Sequence, residues 1–207
     1  MKAIKLIILS TLILLGTLVN GNAQPKKAPQ KAKEPSPIGF GINLGNVSFY
    51  NHSFQFGLSP NVAYRVGESL ALGFMLKANY YYQKFPEFQV KFSAFDFGPT
   101  VFARYKPLWS WDAATPFLRG LFLQAEYERG FLTRYLVYRD NQGFTVPVII
   151  DGKLQRDKFQ EDFAYIGIGA SNGYPFSTFV SIHYNLLDNF ESARDPFEYR
   201  IGFTYNY

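Results

Sequence analysis

Cysteine is absent from the 207 residues, histidine occurs only twice, and the body of the chain carries no net charge. Without cysteine there is no disulfide scaffold, no thiolate metal site, no cysteine nucleophile and no acylated lipobox. His52 and His183 alone do not make a histidine-rich metal centre, so neither a metal nor a cofactor is expected. The overall charge of +5 suggests nucleic acid until its location is read. Six lysines and Glu34 lie before residue 38, which leaves 15 basic and 15 acidic side chains in 38–207. A neutral body offers no electrostatic footprint for a polyphosphate, so no nucleic-acid partner is expected. Glycine-rich phosphate loops and carboxylate-rich calcium loops are missing as well.

What is present begins with a leader. Lys2 and Lys5 precede an apolar stretch over 6–19, and Gly21, Asn22 and Ala23 form a small-residue cleavage site. Residues 1–23 therefore read as a cleaved secretory signal peptide. Its apolar run is too short for a confident membrane span and is interrupted by Ser10, Thr11, Gly16 and Thr17. Residues 24–37, QPKKAPQKAKEPSP, hold no aromatic side chain. Such a stretch buries too little apolar area to order itself and is expected to be a disordered periplasmic tether.

From residue 38 onward the apolar residues recur with period two. Phe54, Phe56, Leu58, Val62 and Tyr64 alternate with Gln55, Gly57, Ser59, Asn61 and Arg65. Because side chains alternate across a strand, this is a strand with one apolar and one polar face. The same pattern runs through 39–45, 70–83, 94–105, 117–128, 164–171, 179–186 and 197–207, making eight strands. Pro60 and Pro99 lack ladder donors and fall inside two of them, where local bulges are expected.

Period two does not say which face is outside. A soluble lipocalin-like barrel hides its apolar face, whereas an outer-membrane barrel shows it to lipid. Here the polar face is rich in Gly, Ser, Asn and Ala, which suits a crowded lumen better than a solvated surface. The apolar face is crowded with Phe and carries Tyr64, Tyr80, Tyr82, Tyr105, Tyr127 and Tyr184 near strand ends, as interfacial girdles require. The expectation is an all-β, eight-stranded, antiparallel, up-and-down transmembrane β-barrel over 38–207, in the outer membrane. Periplasmic turns fall at 66–69, 106–116 and 172–176, with Trp109 and Trp111 at the inner headgroup level. Outer loops fall at 46–53, 84–91, 130–162 and 187–196. The longest reads as a protruding hairpin, a candidate surface for a protein partner, or as a loop folded over the barrel mouth.

The final strand, YRIGFTYNY, ends on Tyr205 and Tyr207. It resembles the C-terminal signal by which outer-membrane barrels engage the barrel-assembly machinery, which would make that machinery and outer-membrane lipid the partners of biogenesis. Three further stretches resemble an uncharacterised family of small Bacteroidota outer-membrane barrels. They are LSPNVAYR (58–65) with LALG (70–73), LQAEYE (123–128), and VSIHYNLLD (180–188) followed by DPF (195–197). The resemblance spans most of 54–207, implies the barrel fold, and brings no defined activity.

Catalysis finds little support. His183 and Asn185 faintly resemble the His-x-Ser pair of lipid A deacylase barrels, but Asn185 stands where the nucleophile belongs and His183 falls on the lumen side by parity. No catalytic residue is assigned. The stronger signal is charge on the lumen face, where Arg65, Lys77, Arg104 and Arg200 meet Asp96, Glu126, Glu128 and Glu198 beside His183. Charges withdrawn from water must pair, and eight strands enclose barely enough room for side chains, so a salt-bridged plug is expected. Aligning strands symmetrically through 106–116 puts Asp96 opposite Glu126 and Ala94 opposite Glu128, making the upper lumen acid-rich. The protein reads as a structural or partner-binding component; a narrow cation path and a lipid-modifying enzyme are the alternatives.

Overall fold

The computed structural model describes residues 36–50, 52–111, 113–139, 145–173, 175–188 and 194–206. The leader, the tether as far as residue 35, the loop tip at 140–144 and Tyr207 lie outside the described residues. Eight long strands carry the fold: β1 (Ile38–Tyr50), β2 (Ser53–Val66), β3 (Leu70–Phe85), β4 (Val90–Tyr105), β5 (Leu121–Tyr135), β10 (Arg156–Asn172), β11 (Phe176–Asn185) and β12 (Phe197–Tyr205). They close in the order β1-β12-β11-β10-β5-β4-β3-β2, antiparallel throughout. Phe40 of β1 shows the closure, standing opposite Val62 on one side and Tyr205 on the other. Full closure leaves no sheet edge in the barrel.

The period-two pattern sorts side chains as the sequence implies, and it chooses between the two kinds of barrel. Phe40, Phe74, Phe95, Val101, Ile168 and Phe203 are exposed, while Asn61, Lys77, Asp96, Thr100, Glu126 and Arg200 are buried. A lipocalin-like barrel requires the reverse, so that alternative fails.

Neither proline introduces a bulge. Pro60 stays in register with Ile42 of β1, and Pro99 with Leu76 of β3. Each interrupts pairing only on its other side, between Leu58 and Asn61 against β3 and between Phe97 and Thr100 against β5, with no shift in register. A missing N–H thus removes rungs on one flank of the strand. The one irregularity between β1 and β2 falls between Gly45 and Ser48. There Asn46 adopts a left-handed φ of 53°, a conformation Asn tolerates well.

Several connections differ from their expected bounds. β1 and β2 continue to Tyr50 and Ser53, so the first outer loop shrinks to 51–52. Hydrogen bonding to the barrel also occurs before residue 38, where the Pro37 carbonyl accepts from Arg65 N at 2.7 Å. Phe117 belongs not to a strand but to a one-turn helix, α1 (Pro116–Arg119), capped by the Thr115 hydroxyl. That turn makes the β4–β5 connection asymmetric and corrects the register: Phe102, not Asp96, stands opposite Glu126, and Thr100, not Ala94, stands opposite Glu128.

The long outer loop is shorter than 130–162, since β5 and β10 stay paired out to Tyr135 and Arg156. Beyond them lie two small hairpins, β6 (Val137–Arg139) with β7 (Thr145–Pro147), and β8 (Ile149–Ile150) with β9 (Lys153–Leu154). The first exposes Val137 and Tyr138. The second folds back, packing Leu154 against the inward-facing Phe92 and Ala94 with Ile149 beside them. The second hairpin thus takes the folded-over arrangement, while the tip of the first, 140–144, lies outside the described residues.

Candidate functional site

The barrel interior is the most heavily built part of the molecule. Its wall makes room for large side chains by setting glycines beside them. His183 of β11 lies over Gly167 of β10, and Phe102 of β4 lies over Gly73 of β3, in directly opposed pairs. A Cβ on either glycine would overlap the facing ring. Only a residue without a side chain permits that approach.

At the turn end the filling is aromatic. Phe122 and Phe179 meet edge to face at 5.8 Å, and the Arg104 guanidinium stacks on both, 4.3 and 4.7 Å from their centroids. Arg104 Nε donates to Gln124 Oε1 at 2.6 Å. Asn61 donates to Asn43 at 3.1 Å, beside a small cluster of Ala63, Ala71, Met75 and Phe102. Arg65 and Arg104 flank Ala71 in one row and line a void of about 20 Å³ with Lys106 and Trp109, whose ring lies 5.0 Å from the Lys106 ammonium. Trp111 is exposed.

In the middle the filling is ionic. Lys77 Nζ lies 3.1 Å from Glu126, 3.0 Å from Glu128 and 3.3 Å from Glu198. Arg200 binds Glu126 through both terminal nitrogens and reaches Glu198 at 2.6 Å. Arg194, from the last outer loop, enters from above and meets Glu128 at 2.7 Å. Three cations thus face three carboxylates on β3, β5, β12 and a loop. No two of those three strands are neighbours, so the pairs Lys77–Glu126, Lys77–Glu128, Lys77–Glu198 and Arg200–Glu126 cross the bore, while Arg200–Glu198 lies within β12. Aromatic rings hold the cations in place, with Tyr165 4.1 Å from Lys77 Nζ and Phe163 4.5 Å from the Arg194 guanidinium. Asp96 stands apart, accepting from Thr133 N and from Arg134, each at 2.8 Å.

Each of the four expected lumen carboxylates, Asp96, Glu126, Glu128 and Glu198, therefore meets a cation, and they do not form an uncompensated acidic patch. Two of those cations, Arg134 and Arg194, were not among the residues anticipated for the network. Charge counting could have signalled that two cations were missing, though not which residues supply them. With Arg65 and Arg104 at the turn end, Lys77 and Arg200 alone faced four carboxylates, and an enclosed site cannot leave two unmatched.

The His183–Asn185 pair also resolves. Asn185 Oδ1 accepts from the backbone N–H groups of Ala164 and Leu187 at 3.3 and 3.1 Å, closing a strand end. His183 faces inward, with Nε2 3.0 Å from Ser181 Oγ and Nδ1 3.8 Å from Glu126. A hydroxyl, an imidazole and a carboxylate in sequence superficially make an acyl-transfer relay. Glu126 is already engaged by Lys77 and Arg200, however, and all three residues are buried. Among the described residues, no group of three His, Asp or Glu side chains is placed to hold a metal ion.

Above the ion-pair belt the lumen opens. A cavity of about 280 Å³ is lined by Asn46, Gln55, Tyr81, Tyr165, Arg194, Asp195 and Glu198. A second, of about 200 Å³, shares Gln55 and Tyr81 and is bounded by Phe92, Arg134 and Tyr135.

No family model and no curated protein sequence matches the chain. Solved structures do. Ail, the attachment invasion locus protein of Yersinia pestis, solved with the heparin analogue sucrose octasulfate, matches over 81% of this chain and 94% of its own, at 10% identity and a TM-score of 0.45. The N-terminal β-barrel domain of Pseudomonas aeruginosa OprF matches over 84% of this chain and 100% of its own, at 13% identity and a TM-score of 0.50. At such identities the likeness concerns architecture alone, and what this chain shares with the OprF domain is the closed, eight-stranded, antiparallel barrel fold of outer-membrane proteins.

Proposed function

We propose that the protein is an integral outer-membrane component, exported by the leader at 1–23, whose barrel is a closed, rigid mount for the surface at its loop end. The observation that carries this reading is the ion-pair belt: Lys77, Arg194 and Arg200 neutralise Glu126, Glu128 and Glu198 across the bore. Below it the Phe102, Phe122 and Phe179 rings fill the turn end. The exposed belt that includes Phe95, Val101, Tyr127, Ile168, Tyr199 and Phe203 supports the membrane setting, since water does not tolerate so continuous an apolar surface. Tyr64, Tyr105 and the exposed Trp111 supply aromatic anchors at the turn end, as a headgroup interface requires. The likeness to small Bacteroidota outer-membrane barrels fits this setting. With the bore filled, function falls to the outer face, where the β6–β7 hairpin is the candidate contact for a protein partner.

The test is conductance of the purified barrel in a planar bilayer, after a heat-dependent shift in gel mobility has established that it is folded. The expected record shows no persistent porin-like step. A stable step would overturn the closed-barrel reading and make Lys77, Asp96, Glu126 and Arg200 pore-lining groups.

A further inference from the structure

Charge is matched in the ion-pair belt but not at the turn end. There Arg65, Arg104 and Lys106 line one void, and Arg119 of α1 adds positive charge to the same end. Among the described residues of that end Glu68 is the one carboxylate, and it is exposed and joins no ion pair. Arg65 and Lys106 likewise have no carboxylate partner among the described residues; Asp112 lies outside them. The three cations converge for a structural reason. Arg65 and Arg104 both stand opposite Ala71, two strand spacings apart, roughly 10 Å at the backbone. Lys106 follows two residues after Arg104 and so takes the same face, with its N–H bonded to the Ser69 carbonyl at 2.8 Å.

The side chains are supported from behind, Arg104 by the Phe122 and Phe179 rings and Lys106 by Trp109. Like charges so close repel, and burial, with Arg104 and Arg65 nearby, pushes the Lys106 ammonium down to about 8. A cluster of this kind is stabilised by an anion. A phosphate group, with three free oxygens and up to two negative charges, meets three cations better than a carboxylate does. The void beneath holds about one water, so the anion rests on the rim and does not enter the barrel. Tyr64 and Tyr105, adjacent in sequence to Arg65 and Lys106, are exposed on the outer wall, which puts the cations at the height of the aromatic anchors.

We propose that Arg65, Arg104 and Lys106 form a phosphate-binding rim at the turn-end mouth, occupied by an anionic phospholipid headgroup or by a soluble phosphate. The lipid source rests on the reading that the turn end lies at the inner headgroup level; the soluble source does not.

The chain's two tryptophans, Trp109 and Trp111, both belong to this end, so indole emission reports on it selectively. The full folded protein carrying Trp111→Phe is placed in phosphatidylcholine nanodiscs, where both mouths are accessible. It is titrated with pyrophosphate, inorganic phosphate and acetate at neutral pH and constant ionic strength. Both phosphates are expected to change the Trp109 emission saturably, with acetate about tenfold weaker. Arg65→Gln and Lys106→Gln should each weaken phosphate about tenfold, the worth of one charge-assisted hydrogen bond. Lys153→Gln/Lys158→Gln, which removes two exposed cations at the loop end, should change nothing. Nanodiscs containing phosphatidylglycerol separate the sources. A headgroup on the rim shifts the emission beforehand and suppresses the phosphate response, whereas a soluble occupant leaves that response intact. The proposal is overturned if neither the phosphates nor phosphatidylglycerol change the emission, if acetate binds as tightly as phosphate, or if Arg65→Gln/Lys106→Gln responds like its parent. Gel mobility and conductance report separately on the closed barrel, so a folded, non-conducting protein without a phosphate response fails this proposal alone.

Discussion

The lumen is filled by two different physical means at its two ends. Toward the turns, Phe102, Phe122 and Phe179 lie over glycines of neighbouring strands, and the charge among them, Arg104, rests on aromatic faces. Toward the loops, the occupants are charges that stabilise the fold only as a complete set, and space remains above them. An apolar filling degrades gradually as atoms are removed. An ionic filling fails sharply when one member is lost, because the partners stay buried without compensation. The turn end is therefore sealed by packing, and the loop end is held by charge with space left above it.

The sharpest way to break the comparison is at the centre of the ionic end. Lys77→Met leaves Glu126, Glu128 and Glu198 short of one cation and should cost about 3–5 kcal/mol. Urea unfolding of the barrel in lipid vesicles measures it. The double variant Lys77→Met/Glu198→Gln, which leaves Glu126 to Arg200 and Glu128 to Arg194, should recover part of the loss, and no recovery would show that packing against Tyr165, not charge, was removed. At the aromatic end, Gly73→Ala drives a methyl into the Phe102 ring and toward the Val62 carbonyl. Overpacking of that kind should cost about 1–3 kcal/mol in the same assay, without opening a conductance.

The smallest effect separates the ends by pH. Lys106 sits at the turn-end rim, where burial, with Arg104 and Arg65 nearby, pushes its ammonium down to about 8 from the ordinary 10.5. Between those values the unfolded chain binds more protons than the folded one, so stability should rise with pH from about 8 to 10.5. Below about 8 the penalty of the buried charge is fully present. Lys106→Met should flatten that slope. A slope that persists in the variant would assign it to another group.

Much of this molecule was legible from local pattern. The eight strands, the face each side chain takes and the inward position of His183 all follow from period two. The pleat sends alternate residues to opposite sides whatever the rest of the chain does. That polar residues such as Ser59, Asn61 and Thr100 would be the buried ones followed from composition, since a solvated face would have carried Lys and Glu.

Register and reach were not legible. The β4–β5 alignment depends on how many residues the intervening turn consumes. α1 consumes them asymmetrically, so Glu126 faces Phe102 where symmetry had put Asp96. Likewise, no sequence spacing announces that Arg194 turns down into the lumen, or that Arg134, well beyond the expected end of its strand, reaches Asp96. The sequence by itself determined an eight-stranded barrel with a polar, charged inside, because alternation and composition are properties of each strand alone. Only the tertiary structure decided which charges meet, which glycine admits which ring and where space is left over, because those depend on strands far apart in sequence closing into one ring.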